Sequence, residues 1–239
     1  MSKAPVLLSL IFSVFISIPA SAQDSKPAKK DSKKIQETEA LKRGAKQFAE
    51  VQKQLKNQKY KFALIAAKRL QTTEPNYPKI TKFINNIENL VTIYKDIADL
   101  TTDPPQLRST YHMDAAQALM RFGLSCSDAA LKECENAEKL HAKSFDAFYY
   151  RGQILLKRKN GKAGALKAFE KAASIRSNKS SKTARAHFYA GKLHGDKTVK
   201  GHDLKKAIKH LYKAQDLFRP NSKEYKEVKA LRKKLEKKK

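Results

Sequence analysis

One spacing recurs along the 239-residue chain and restricts its fold more than any other feature. A small residue is followed four positions on by a bulky one and three beyond that by another small one. The best copy is Ala165, Phe169 and Ala172 within Ala163–Ile175, preceded by Tyr149-Tyr150-Arg151-Gly152 and Leu155-Leu156. A second is Ala207, Leu211 and Ala214 with Pro220, preceded by Phe188-Tyr189-Ala190-Gly191. A third is Ala63, Ala67 and Leu70 with Pro75, and a fourth Ala130, Cys134 and Ala137. Steps of three and four residues return to one face of an α-helix. Small residues there let a second helix approach closely, and the bulky one fills the gap between them. The chain is therefore expected to consist of closely packed helix pairs repeated along its length.

Almost everything else also reads as helix. Phe48, Val51 and Leu55 stand at helical spacing before the polar turn Lys56-Asn57-Gln58-Lys59. Tyr60–Thr73 runs into Glu74-Pro75-Asn76-Tyr77-Pro78, which must end a helix. From Ile80 to Leu100 one apolar stripe continues at helical period without a turn signal. Thr101-Thr102-Asp103-Pro104-Pro105 stops it, with Asp103 placed to cap the next helix. Pairs then return: His112–Phe122 with Asp128–His141, Phe145–Arg158 with Lys162–Ile175, and Lys182–His194 with Asp203–Phe218. In Ser222–Lys239, Val228, Leu231 and Leu235 form one stripe and lysine covers the rest, as in a helix that closes a stack.

Met1–Ala22 stands apart from this pattern. Lys3 opens it, Val6–Ile18 is apolar, and Ala20-Ser21-Ala22 matches a small-x-small cleavage site. It reads as a secretory signal peptide, too short to span a bilayer as a mature helix. Cleavage after Ala22 implies a periplasmic or secreted protein. Gln23–Lys34 holds five lysines, two aspartates and Pro27 with no large apolar residue. Residues 23–35 are therefore expected to be a disordered basic linker ahead of the helical domain, 36–221. After cleavage 50 basic residues face 23 acidic ones, a net +27, and they are unevenly spread. Val91–Ala142 has five basic and eight acidic residues, whereas Lys143–Lys239 has 29 and eight. Such a field favours an anionic partner and speeds encounter with it, or is simply a solvated surface.

These repeats resemble the tetratricopeptide family, whose unit is a helix pair of about 34 residues. The lengthened turn Gly195–His202 is similar to that of its Sel1-like branch. The resemblance implies an all-α solenoid of antiparallel helix pairs with a C-terminal capping helix at 222–239. From Ala63 to Ala130 is 67 residues, close to two repeats, so 78–103 stands as one long helix or a degenerate repeat. In the family the first helix of each pair lines a concave groove. Mapped onto Gly152, the groove positions are Tyr149, Gln153, Leu156 and Lys157; mapped onto Gly191, they are Arg185, Phe188 and Lys192. Aromatic faces beside cations suit an extended peptide with acidic groups or a terminal carboxylate. The alternative is that Tyr149 and Phe188 pack between repeats. The resemblance thus implies a non-enzymatic scaffold for a protein or peptide partner, with no cofactor and no small-molecule substrate. A binder of an anionic polymer or lipid surface, acting through the basic C-terminal half, is the alternative.

Cys126 and Cys134 are the only cysteines, and an oxidising compartment favours a disulfide between them. One continuous helix would hold them about 12 Å apart, too far to bond. Gly123–Ser127 reads as a turn with Asp128 as cap, which would let Cys126 fold back; a buried thiol at Cys134 stays open as the other reading. His187 and His194 lie seven apart on one helix face, with His202, His210, Asp196 and Asp203 nearby. No third ligand stands at a recognised spacing, so no metal site is expected. Gly161-Lys162-Ala163-Gly164 lacks the spacing that cradles phosphates. No serine has a nucleophile-elbow setting, and no two carboxylates are placed as an acid–base pair.

Overall fold

The computed structural model describes residues 29–175 and 180–238. The chain divides into two units, 1–39 and 40–239. In the first, 29–39 are helical, while the expected signal peptide and residues 23–28 lie outside the described residues. The expected linker is corrected from Lys29 onward, where a helix begins. Lysine, glutamine, glutamate and alanine are good helix formers, so this stretch needs no apolar face to be helical.

Ten α-helices and one 3-10 turn make up the described residues, with no strand among them. The first five helices are α1 (Lys29–Lys56), α2 (Tyr60–Thr73), α3 (Ile80–Asp99), α4 (Pro105–Met120) and α5 (Ser127–Leu140). Then come α6 (Phe145–Leu156), α7 (Lys162–Ser174), α8 (Ser180–His194), α9 (Leu204–Leu217) and α10 (Lys223–Glu236). Local chemistry fixes several starts. Ser144, Asp203 and Ser222 accept from the backbone N–H groups of Ala147, Lys206 and Tyr225, capping α6, α9 and α10. Two other expected caps are absent. Pro104 and Pro105 open α4, where a missing N–H costs nothing, and Asp103 makes no cap. Cys126 is the N-cap of α5, with Asp128 inside its first turn, where its charge meets the positive end of the helix. The apolar stripe over 78–103 is one unbroken helix, α3.

The fold is all-α and solenoid-like: α4 packs on α5, α6 on α7 and α8 on α9, and each pair stacks on the next. Gly152 on α6 shows why the recurrent spacing matters. A Cβ placed there would stand 2.8 Å from the Phe169 ring of α7, whose side chain is wholly buried. At Gly191 on α8 a Cβ would meet Leu211 of α9 at 2.8 Å and the Ala207 carbonyl oxygen at 3.0 Å. Helices this close bury Ala165, Ala172, Ala207 and Ala214 completely. The core is a chain of three apolar clusters. One runs from Val51 to Ile154, a second joins α6, α7 and α8 around Phe169, and a third joins α8, α9 and α10 around Leu211.

The first cluster contains a buried polar network. Glu133 of α5 is 5% exposed. Its carboxylate accepts from the Tyr94 hydroxyl of α3 at 2.7 Å and lies 2.7 Å from His112 Nδ1 of α4. Asn136 donates at 3.4 Å, and the Tyr60 ring of α2 stacks on Tyr94 at 4.7 Å. Burial alone would raise the Glu133 pKa, but His112 and Tyr94 more than offset it and hold the carboxyl below its usual range. Burial and the Glu133 charge raise the pKa of the Tyr94 hydroxyl, which therefore keeps its proton and donates. One carboxylate joins three helices, and Tyr60 ties a fourth to them through Tyr94.

Two outcomes follow from this packing. Gly152→Val should destabilise the chain by about 2–3 kcal/mol, because the buried Phe169 ring has nowhere to retreat. Calorimetry would read this as a melting temperature lower by roughly 2–4 °C per kcal/mol, and an unchanged value would mean the ring has room. Glu133→Ala should cost about 3–5 kcal/mol at neutral pH by leaving His112 and Tyr94 without their acceptor. A depressed carboxyl pKa stabilises the fold above the unfolded value of about 4.3, and that contribution is lost as pH falls through the lower folded value. Urea unfolding at about pH 7 and about pH 3 should thus show the gap between wild type and variant narrowing in acid.

Candidate functional site

A cleft of about 220 Å³ lies between α4 and α6. Its lining follows from helical period. From α4 come Ala116, Gln117, Met120 and Arg121; from α6 come Tyr150, Gln153, Ile154 and Lys157. Ala116 and Ile154 are almost wholly buried and make an apolar floor. Gln117, Gln153, Met120 and Tyr150 are half-buried walls, and Arg121 and Lys157 are exposed at the rim. Lys182 of α8 stands 5.3 Å above the Tyr150 ring and pairs with Asp146 at 2.7 Å. Burial alone would lower the Lys182 pKa, but its bond to Asp146 carries it above the ordinary value, so its charge is fixed. Arg121 and Lys157 form no ion pair among the described residues.

The structure sorts the sequence-derived groove positions into three groups. Gln153 and Lys157 line the cleft. Tyr149 is corrected to the core: it is 4% exposed, stacks on Phe145 at 5.7 Å and meets Phe169 edge-on at 5.9 Å. The reason is register. Tyr149 precedes Gly152 by three residues and shares the face that closes on Phe169, while Tyr150, one residue on, turns toward α4. Leu156 lines a separate hollow with Tyr189, Lys192, Leu231 and Leu235.

The α8 positions lie toward the last helix rather than the cleft. Arg185 pairs with Glu224 of α10 at 3.3 Å. Phe188 is half-buried and, like Tyr225, Leu231, Leu204 and Ile208, packs against the cluster around Leu211. Lys192 is exposed, 6.0 Å above the Phe188 ring, beside Leu231 and Leu235. These three do not join Gln153 and Lys157 in one groove. Sequence reasoning missed Gln117, Met120, Arg121 and Tyr150. The only signal for the α4 residues was the four-residue step from Gln117 to Arg121.

The cysteines are two buried free thiols, which corrects the disulfide. The 3-10 turn Leu124–Cys126 runs straight into α5, so Cys126 never folds back over that helix. Eight residues of helical rise keep the pair about 12 Å apart, against a bonding reach of roughly 4.4–6.8 Å. Cys134 fills the bulky position of its repeat and is 0% exposed. Burial, with Glu138 nearby, pushes its thiol up to about 12, and burial raises Cys126 too. Of the acidic residues near the histidines, Asp196 pairs with Lys162 at 2.8 Å and Asp203 caps α9. His202 is exposed, while His187, His194 and His210 converge between helices.

Compared with known protein families, curated proteins and solved structures, the chain matches none. Among the described residues no helix is long and apolar enough to cross a membrane.

Thiol labelling should find both cysteines silent in native protein, and both reactive once it is unfolded without reductant. Failure of the unfolded chain to react would mean that the two sulfurs are bonded.

Proposed function

We propose that this chain is an exported, non-enzymatic, tetratricopeptide-like scaffold that binds an acidic segment of a protein or peptide in the cleft between α4 and α6. One observation carries the reading. Arg121 and Lys157 present unmatched charge at the rim of an apolar floor, whereas several neighbouring cations are matched. Arg151 pairs with Glu138, Arg158 with Asp128, Lys162 with Asp196 and Arg185 with Glu224. A carboxylate entering the cleft would meet both free cations, while Gln117 and Gln153 offer amides to a peptide backbone. Met120, Ala116 and Ile154 would take an apolar side chain, and a cleft this size holds one residue or two. The signal-like start of the chain supports a partner in the cell envelope or outside the cell.

The uneven charge supports the second reading, an anionic polymer or lipid surface bound by the basic half, and salt separates the two. The probe is a short acidic peptide with a free carboxyl end, titrated by calorimetry against the purified chain. Arg121→Ala and Lys157→Ala should each weaken binding about tenfold, near 1.4 kcal/mol, with the helical spectrum unchanged. Reversing Lys226, Lys229 and Lys233 of α10 should mainly slow association. If those reversals abolish binding and the cleft variants do not alter it, the cleft reading fails and the basic surface takes its place.

A further inference from the structure

Helices α7, α8 and α9 bring Glu170, His194 and His210 together, one ligand-capable atom from each lying within 4.8 Å of the other two. His194 is 2% exposed. Its Nδ1 is 3.1 Å from the Gly201 carbonyl oxygen, and its Nε2 is 2.8 Å from Glu170 Oε1. A carbonyl oxygen only accepts, so Nδ1 carries a proton. Nε2 then faces the carboxylate with either a second proton or a lone pair. A lone pair at that distance from a carboxylate oxygen is repelled unless a cation is shared between them. Behind His210, His187 is 6% exposed and the two Nδ1 atoms are 2.9 Å apart, so one ring donates to the other. A proton on His210 Nδ1 leaves its Nε2 lone pair free.

We propose that Glu170, His194 and His210 form a site for a first-row divalent cation, zinc above all, with His187 and the Gly201 carbonyl orienting the two imidazoles. The inference is independent of the cleft. Two imidazoles and one carboxylate are a zinc donor set, and three protein ligands leave a fourth position for water. A metal-bound histidine commonly donates its other N–H to a carbonyl, as His194 does to Gly201. The edges of a tetrahedral zinc site are about 3.3 Å, so the 2.8 Å contact of His194 with Glu170 must open slightly and the edges to His210 close by about 1.5 Å at most. Glu170 and His210, both half-buried, have the freedom to make that shift. Glu170, 35% exposed, also gives the ion a way in. Lys209 and Lys213 lie on the helix of His210 and oppose a cation, which the Glu170 charge offsets. The competing arrangement is a His194 imidazolium paired with Glu170, which takes up no metal.

The experiment uses the full chain without a polyhistidine tag, stripped with chelator and titrated with zinc chloride alone against a competing indicator. About one zinc ion per chain should bind and survive gel filtration, and cobalt in its place should give the strong visible bands of a four-coordinate site. Glu170→Gln keeps the shape of a partly exposed side chain, so it should fold normally and bind zinc at least a hundredfold more weakly. His187→Phe, which removes only the orienting contact, should weaken binding roughly tenfold to a hundredfold. Zinc that fails to bind the wild-type chain in a one-to-one ratio would overturn the proposal. Equal affinity in the folded Glu170→Gln variant would do the same.

Discussion

Everything in this fold depends on how near two helices of a pair can come. Gly152 has no side chain, so α6 lies against the Phe169 ring, and Gly191 lets α8 lie against Leu211 in the same way. Close approach buries the alanines on either side and sets the phase of each helix about its own axis. Once the phase is set, every other position is committed to the partner helix, the neighbouring pair or solvent. A rotation of one residue, about 100°, carries a side chain from one of these fates to another. Tyr149 and Tyr150 show the difference: the first is locked among Phe145 and Phe169, the second stands in the wall of the cleft.

The same phase decides where charge is left over. Several basic side chains in the second half meet an acid on another helix, as Arg185 meets Glu224 and Lys182 meets Asp146. The residues that line the cleft include no acid, and Arg121 and Lys157 flank a floor of Ala116 and Ile154. Exposed ion pairs contribute little to stability, so their chief effect here is to neutralise individual cations, which Arg121 and Lys157 at the cleft are not. The corresponding face of α8 is turned to a different cluster, where Phe188 packs against the same apolar core as Tyr225 and Leu231 of the terminal helix.

Fold class was legible in the sequence because close packing leaves a short-range trace: Ala165, Phe169 and Ala172 declare a helix face without reference to any other segment. The capping stripe of Val228, Leu231 and Leu235 was legible for the same reason, as was the unbroken period of α3. The sites were less so. Gln153 and Lys157 could be placed by counting from Gly152, but Arg121 comes from a helix that carries no glycine to count from. Phe188 could be counted correctly and still lie away from the cleft, since nothing local says on which face α10 lies. Cys126 was misjudged because a 3-10 turn and a chain reversal have similar composition over five residues. Glu170 is the extreme case. It stands 24 residues from His194 and 40 from His210, and only the stacking of three helices brings them together.

The helix α6 belongs to two cores at once. Ala147 and Ile154 point into the cluster built by the first five helices, while Phe145 and Tyr149 point into the cluster around Phe169. A stack in which each helix pair touches only its neighbours could melt piecemeal, beginning at either end. Sharing one helix between adjacent cores opposes this, since α6 cannot unwind for one cluster without exposing the other. Ile154 and Lys157 lie on that same helix, so a molecule held in the cleft tightens the joint on which both halves rely. Occupancy would then be felt as greater all-or-none behaviour of the whole stack, at residues that never touch the ligand.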